Sequence, residues 1–359
     1  MKALYVVSTE SFSGKSGIIL CLALKLKKNR LDVGFMKPVS TAPCKFEGVS
    51  IDEDAYCIWK SLRLKDPLGS VSPVALTSKF MRDYFQGRGH ERSTQIMQAF
   101  QNISKDKDIV MLEGAGGLHK GRFLELSAPQ IAEMFDAKVL LIGKAYEDTI
   151  IDEILATQDA FKNRLIVVIL NYAPRDHIEH YNELVLPTLK AKGITVFGII
   201  PEDKILQAVT VGEIAEHLGG QILCAHQKVD ELVEEFMVGA MSQEHALRYF
   251  RRKPNKAVIT GGDRADVQLA ALETPTKCLV LTGSFQPSPI ILSRAQDLEV
   301  PVILVDLDTY TAVDRMEALI GHMSMHEQRK IGQMGRLIEE HVALKDLFKS
   351  IDIEEYCVE

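Results

Sequence analysis

The chain is short of several things, and each shortage removes a class of function. Its six cysteines, Cys21, Cys44, Cys57, Cys224, Cys278 and Cys357, are scattered with no Cys-x-x-Cys pair. That spacing encodes neither a disulfide framework nor a zinc knuckle, so the thiols read as reduced. Trp59 is the single tryptophan, and no array of aromatics offers a stacking platform for nucleic acid. Positive charge is also scarce: 42 Lys and Arg against 49 Asp and Glu leave a formal charge of -7. That is the wrong sign for gripping nucleic acid or anionic lipid. The one basic cluster, LKLKKNR at 24–30, alternates with leucines at helical spacing and reads as a solvated helix face. The N-terminal MKALYVVSTE holds one lysine and an apolar run too short for a signal peptide or a membrane span. A cytoplasmic protein with no nucleic-acid or membrane partner is expected.

What is present is a rhythm. Apolar, β-branched runs at 3–8, 33–39, 108–114, 137–143, 164–171 and 195–201 alternate with helical patterns near 15–29, 52–62, 93–104, 127–135, 149–162 and 178–192. Continuous apolar strands separated by helices predict an α/β fold, a parallel sheet with helices on both faces. This first domain is placed at 1–204. A smaller α/β domain is expected over 205–320, opening with the helical TVGEIAEHLGG and the strand QILC. Three strand-turn-helix units beginning at 256, 277 and 301 follow. Asp263 and Ser288 are candidate N-caps there, the latter with Pro289 at the first helical position. Residues 321–359 read as an amphipathic helical tail.

The stretch STESFSGKSG, 8–17, follows the first strand and ends in Gly14-Lys15-Ser16. A phosphate cradle needs a strand, a turn of inward N–H groups, a lysine for terminal phosphates and a hydroxyl for magnesium. The standard spacing would put its leading glycine at Thr9, and a one-residue-longer loop would put it at Ser8. Three further features fall at strand ends, the edge where open α/β sheets bind ligands. These are Lys37 in MKPV, the carboxylates Asp52, Glu53 and Asp54, and Glu113 leading into GAGG. Ser16, Asp54 and Glu113 together suit Mg2+ bound to a nucleotide. Each has a plainer reading, an edge lysine, a helix cap or a flexible turn. His177 with His180, and His322 with His326, lack a third ligand nearby in sequence and read as surface histidines.

The ordered set STESFSGKSG, FMKPVSTAP, DEDA, LEGAGG, VILNYAP and FGIIPED resembles the dethiobiotin synthetase-like P-loop family, which includes cobyrinic acid a,c-diamide synthase-type amidases. The second half, with NKAVITGGDRADVQLAALET and VPVILVDLDTYTAVDRME, resembles a DRTGG domain. The pair is similar to the N-terminal region of long phosphate acetyltransferases. The resemblance implies that ATP is bound as substrate or regulatory ligand by the loop Thr9, Ser13, Gly14, Lys15, Ser16 and Gly17. It also implies that Asp54 and Glu113 complete the Mg2+ site and that Lys37 faces the transferred phosphoryl group or an acidic substrate. By the same carry-over Asn171 reads the adenine, and Pro201 and Glu202 open a loop over the base. A homodimer or higher homo-oligomer and an unknown small-molecule ligand at the DRTGG domain are implied as well.

Ser8 departs from the family's leading glycine. Were its backbone held at positive φ, the Cβ would cost about 1–2 kcal/mol. Three functions stay open: a nucleotide-binding regulatory protein, an ATP-dependent ligase that activates a carboxylate or carbamate, and an assembly protein with an inactive loop. The chain ends soon after the DRTGG region, so phosphotransacetylase activity is not expected.

Overall fold

The computed structural model describes residues 2–88, 92–319 and 328–353. The chain forms two compact units, Met1–Glu202 with Met325–Glu359, and Asp203–Ser324. The first contains β1 (Lys2–Ser8), β2 (Val33–Met36), β3 (Val39–Ser40), β4 (Pro43–Phe46), β5 (Val49–Asp52), β6 (Val74–Ala75), β7 (Ile109–Glu113), β8 (Lys138–Lys144), β9 (Leu165–Ala173) and β10 (Val196–Pro201). Six of these form one sheet in the order β10-β9-β8-β1-β7-β2. Every pairing in it is parallel. Residues 4–7, 109–112 and 139–142 are buried along their whole length, as strands covered on both faces must be. The chain leaves β1 toward β2, returns as β7, and then crosses to β8 on the other side of β1. That reversal puts a crevice at the C-terminal end of β1.

The crossover helix Lys15–Lys28 starts at Gly14, whose φ of 84° is open to glycine and strained for other residues. Lys25, Lys27 and Lys28 fill its last turn, where the helix dipole favours cations. The apolar run expected over 33–39 stops as a strand at Met36, because Pro38 has no N–H for the ladder. Instead Lys37 N donates to Val71 O at 2.8 Å, and β3 pairs with β6. The segment 43–52 folds as a hairpin, β4 against β5, turned by Glu47 and Gly48 at φ 50° and 79°. Two successive left-handed residues are what a two-residue hairpin turn requires. The helix expected over 178–192 runs without interruption from Ile178 to Ala191, with a π turn at Tyr181–Val185. Pro187 cannot donate back to the preceding turn, which accounts for the widened turn.

The second unit holds β11 (Val209–Thr210), β12 (Gln221–Cys224), β13 (Leu232–Val233), β14 (Glu235–Val238), β15 (Lys256–Gly261), β16 (Thr276–Thr282) and β17 (Val302–Leu304). Its main sheet runs β12-β17-β16-β15-β14, with only β12 antiparallel to its neighbour. Alternate residues feed two apolar clusters, Ala257, Ile259 and Val280 in one, Val258, Leu279 and Leu281 in the other. The helix Val211–Leu218 has a full capping box between Thr210 and Glu213 and ends at Gly219 with φ 64°. Ser288 caps the helix Pro289–Asp297 as expected, with Ile291 N donating to its Oγ. Asp263 does not cap its helix: Ala265–Leu272 begins after Arg264, one residue later than the sequence suggested.

The C-terminal helices Gln328–His341 and Leu344–Ser350 pack on the first unit. Ile331, Met334, Leu337 and Ile338 are buried, and Ala343 N donates to Phe197 O at 2.7 Å. No helix among the described residues is long and apolar enough to cross a membrane. Gly198 pairs with Val342, and a Cβ on it would run into the His341 carbonyl. Gly198→Ala is therefore expected to lower unfolding stability by about 1–3 kcal/mol, read from the midpoint of urea denaturation; an unchanged midpoint would contradict the close approach.

Candidate functional site

Lys37 is the centre of charge at the end of the large sheet. Its Nζ lies 2.7 Å from Asp52 Oδ1 and 3.0 Å from Glu113 Oε1, and all three residues are buried. Pro38 turns Lys37 out of β2, the hairpin delivers Asp52 at the end of β5, and β7 delivers Glu113. Ser40 Oγ donates to Asp52 Oδ2 at 3.3 Å. Burial is the largest influence on Lys37 and opposes its charge. Glu113, Asp52 and Asp54 together outweigh it and hold the pKa above the usual lysine range.

The loop between β1 and the helix Lys15–Lys28 wraps the same point. Ser16 Oγ donates to Glu113 Oε1 at 3.0 Å, so the first helical turn is tied to β7. Lys15 is buried and donates to Ser8 Oγ at 2.6 Å and Ser13 Oγ at 3.4 Å. Burial pushes Lys15 down to about 8, with Lys37 adding to the effect and Glu113 and Asp54 opposing it. Asp54 moves the other way, to about 6, through burial and the charge of Glu113, against the pull of Lys37. Thr9 Oγ1 and Glu113 Oε2 are buried with no hydrogen-bond partner among the described residues. The GAGG turn lies against the loop, Ser11 Oγ donating to Gly116 O at 3.0 Å and Gly114 N to Val6 O at 2.9 Å.

Ser8 is the last residue of β1 and is not among the residues with positive φ. The strain argument against it therefore fails. The left-handed positions of the loop fall on Phe12, φ 55°, and Gly14.

Asn171 is buried, and its amide donates to Ser13 O at 2.9 Å, so it ties the loop to β9. Pro201 ends β10, and Glu202 N donates to Ala173 O at 2.9 Å, on the same edge of the sheet but three strands from β1. Between them stands a group the sequence reading missed. Lys144 Nζ lies 5.8 Å from each of the Tyr146 and Tyr172 rings and 3.4 Å from Glu10 Oε2. Its signal was a lysine closing the strand at 138–144, beside Asn171 in register.

Ser16 Oγ, the Asp54 carboxylate and the unpartnered Glu113 Oε2 make an oxygen-only set of the kind Mg2+ takes beside a polyphosphate. Among the described residues no group of three or more His, Cys, Asp or Glu could hold a metal by itself. His180 lies 2.9 Å from Asp148, while His322 and His326 fall outside the described residues.

Comparison with known families settles the lineage of this arrangement. The AAA domain family matches residues 2–210. The chain belongs to that family. A DRTGG domain matches residues 213–319, so an AAA domain of the dethiobiotin synthetase-like kind is followed by DRTGG, as the motifs indicated. A phosphate acetyltransferase of Synechocystis sp. is 25% identical over 95% of this chain and 50% of its own length. The chain spans about half the length of such curated relatives. An ATP-dependent dethiobiotin synthetase of Thermodesulfovibrio yellowstonii is 26% identical over 60% of this chain and 95% of its own. Among solved structures, the CBS and DRTGG domains of the Clostridium perfringens pyrophosphatase regulatory region cover 40% of this chain and 72% of that one, with 19% identity and a TM-score of 0.29.

The buried lysine of the AAA domain gives a stability signature. With the folded pKa of Lys15 near 8 and the free value at 10.5, the unfolded chain holds the extra proton between those limits. Stability therefore rises with pH across that window, and below it the charge is a burden on the fold. Lys15→Met is expected to melt above the natural protein at pH 7 without nucleotide, the gap closing toward pH 10. A variant that melts lower at pH 7 would contradict the shift.

Proposed function

We propose that this chain is a cytoplasmic, Mg2+-dependent ATP-binding protein whose AAA domain holds the triphosphate. In this reading the DRTGG domain senses a second small molecule, and the chain carries out no acetyl transfer of its own. The observation that carries it is the convergence of Lys15, Ser16, Lys37, Asp54 and Glu113 at the end of β1. Two cations there face three carboxylates, counting Asp52. A polyphosphate alone would add its full charge to the negative excess, whereas a divalent cation arriving with it would cancel two of those charges. That charge count favours a metal-dependent nucleotide.

Lys15 and the loop N–H groups would bind the terminal phosphates, released from Ser8 and Ser13 as they turn to the ligand. Ser16, Asp54 and Glu113 would hold the metal, which when bound supplies charge against that of the phosphoryl oxygens. Asn171 keeps the loop in shape from below. Below pH 6 Asp54 takes up a proton, so metal-dependent affinity should fall as pH drops through that value.

Lys37 supports a second reading, an ATP-dependent ligase activating a carboxylate or carbamate. A permanently charged lysine beside the metal carboxylates could hold an acceptor oxyanion. The inactive-loop reading loses its main support, since Ser8 is unstrained and hydrogen-bonds Lys15. Assembly as a homodimer or higher homo-oligomer is part of the proposal and is read by light scattering.

Calorimetry with ATP, ADP and GTP, with and without Mg2+, tests the proposal. ATP with Mg2+ should bind, Lys15→Ala should weaken it at least about tenfold, and Ser8→Gly should still bind. Phosphate release stimulated by one added metabolite would favour the ligase. Absence of Mg2+-dependent adenine-nucleotide binding would sink both readings, and acetyl exchange between phosphate and coenzyme A would overturn the regulatory one.

A further inference from the structure

A second polar concavity opens in the first unit, apart from the phosphate loop. Its volume is about 470 Å³, and Lys79, Phe80, Asp83, Tyr84, Arg88 and Arg92 are on its walls. Among its described lining residues, three cations against one carboxylate give it a positive field. Arg88 is held by Asp83 at 2.8 Å, and no carboxylate among the described residues pairs with Lys79 or Arg92. Two positive charges therefore face the cleft without a counter-charge from the described residues.

Arg92 is fixed in place. Its guanidinium lies over the Phe80 ring at 5.1 Å, and Nη1 donates to Gln95 Oε1 at 2.9 Å. Gln95 is in turn anchored by donating to Pro73 O at 2.7 Å. The Nε of Arg92 is buried with no acceptor among the described residues. A buried donor left unmatched is costly, and a guanidinium edge of fixed orientation is the group best suited to a planar carboxylate. Pro73, Val74 and Phe80 supply an apolar wall on the same cleft, which inorganic anions cannot use and a short carbon chain can. We propose that this cleft binds a small organic carboxylate, its head on Arg92 and Lys79 and its aliphatic body on that wall.

The cleft also has a route to the Lys37 ion pair. Ser50 lines it two residues ahead of Asp52, and Ala75 lines it in register with Ser40, the hydroxyl that supports Asp52. Tyr84, also lining the cleft, donates to Phe123 O at 2.7 Å, on the segment that follows the GAGG turn. An occupant would therefore touch the segment leading to Asp52 and, through Tyr84, be linked to the segment that follows Glu113. The inference does not depend on nucleotide binding, since every residue it uses lies outside the phosphate loop.

Titration calorimetry of the full chain with acetate, succinate and glutarate tests it, with ATP and Mg2+ binding measured on the same preparations. At least one of these carboxylates should bind. Arg92→Gln should weaken it about tenfold or more, and Lys79→Gln, a change at an exposed side chain, should weaken it less. Neither variant should alter ATP binding. The proposal is overturned if none of the three binds, if neutral glutaramide binds as well as glutarate, or if inorganic phosphate displaces the carboxylate at equal concentration. Equal binding by both variants would overturn it too. Carboxylate binding without ATP binding would leave this site standing and remove the nucleotide reading.

Discussion

The buried ammonium of Lys37, between Asp52 and Glu113, is the interaction on which the site depends. Taking a lysine and two carboxylates out of water is expensive, and only close pairing with further hydrogen bonds offsets it. Here the pairing joins three pieces of chain far apart in sequence: the exit of β2, the end of the β4–β5 hairpin and the end of β7. Ser40 and Ser16 add hydrogen bonds to the two carboxylates, and through Ser16 the first turn of the helix Lys15–Lys28 is fastened to the same knot. Removing Lys37 would leave Asp52, Asp54 and Glu113 without their closest cation, with Lys15 still acting on Glu113 and Asp54. The phosphate loop thus takes its position from charges that never belong to it.

The loop itself is held from two sides. Asn171 fixes the Ser13 carbonyl from β9, and Ser8 engages Lys15 from β1. A glycine at position 8 would leave the lysine with Ser13 as its remaining side-chain hydrogen-bond partner among the described residues. Replacing glycine with serine therefore gives a buried cation an acceptor, in a protein where burial already drives that cation toward neutrality. Since the backbone there is extended, this happens without the conformational cost that a side chain would incur at a left-handed position.

Much of the fold was legible because its main signals are local. Parallel strands buried on both faces announce themselves as continuous apolar runs, and a cap such as Ser288 follows rules that need only a few neighbours. The less legible pieces were those whose pattern is weak or interrupted. β14 is a half-buried edge strand of four residues, and the β4–β5 hairpin exposes both faces enough to read as loop. Pro187 put a π turn into a helix whose apolar spacing continued across it. Proline acts there by removing one donor, which periodicity does not register.

The site was legible as a set of positions but not as a set of pairings. Lys37 and Glu113 could be found at strand ends, and Lys15, Ser16 and Asp54 at the helix starts that follow strands, since phosphate and magnesium chemistry restrict the residue types that belong there. Which carboxylate would pair with Lys37 depended on the hairpin, because the register Pro43 to Asp52 decides where Asp52 ends relative to β2. Asp52 takes the lysine, and so Asp54 is left with burial and the repulsion of Glu113 as its dominant influences. Had the turn been one residue longer, the pleat would have reversed and the roles of neighbouring side chains with it. The division of labour between two acidic residues separated by one position is thus set by a turn at Glu47 and Gly48, several residues from the chemistry it governs.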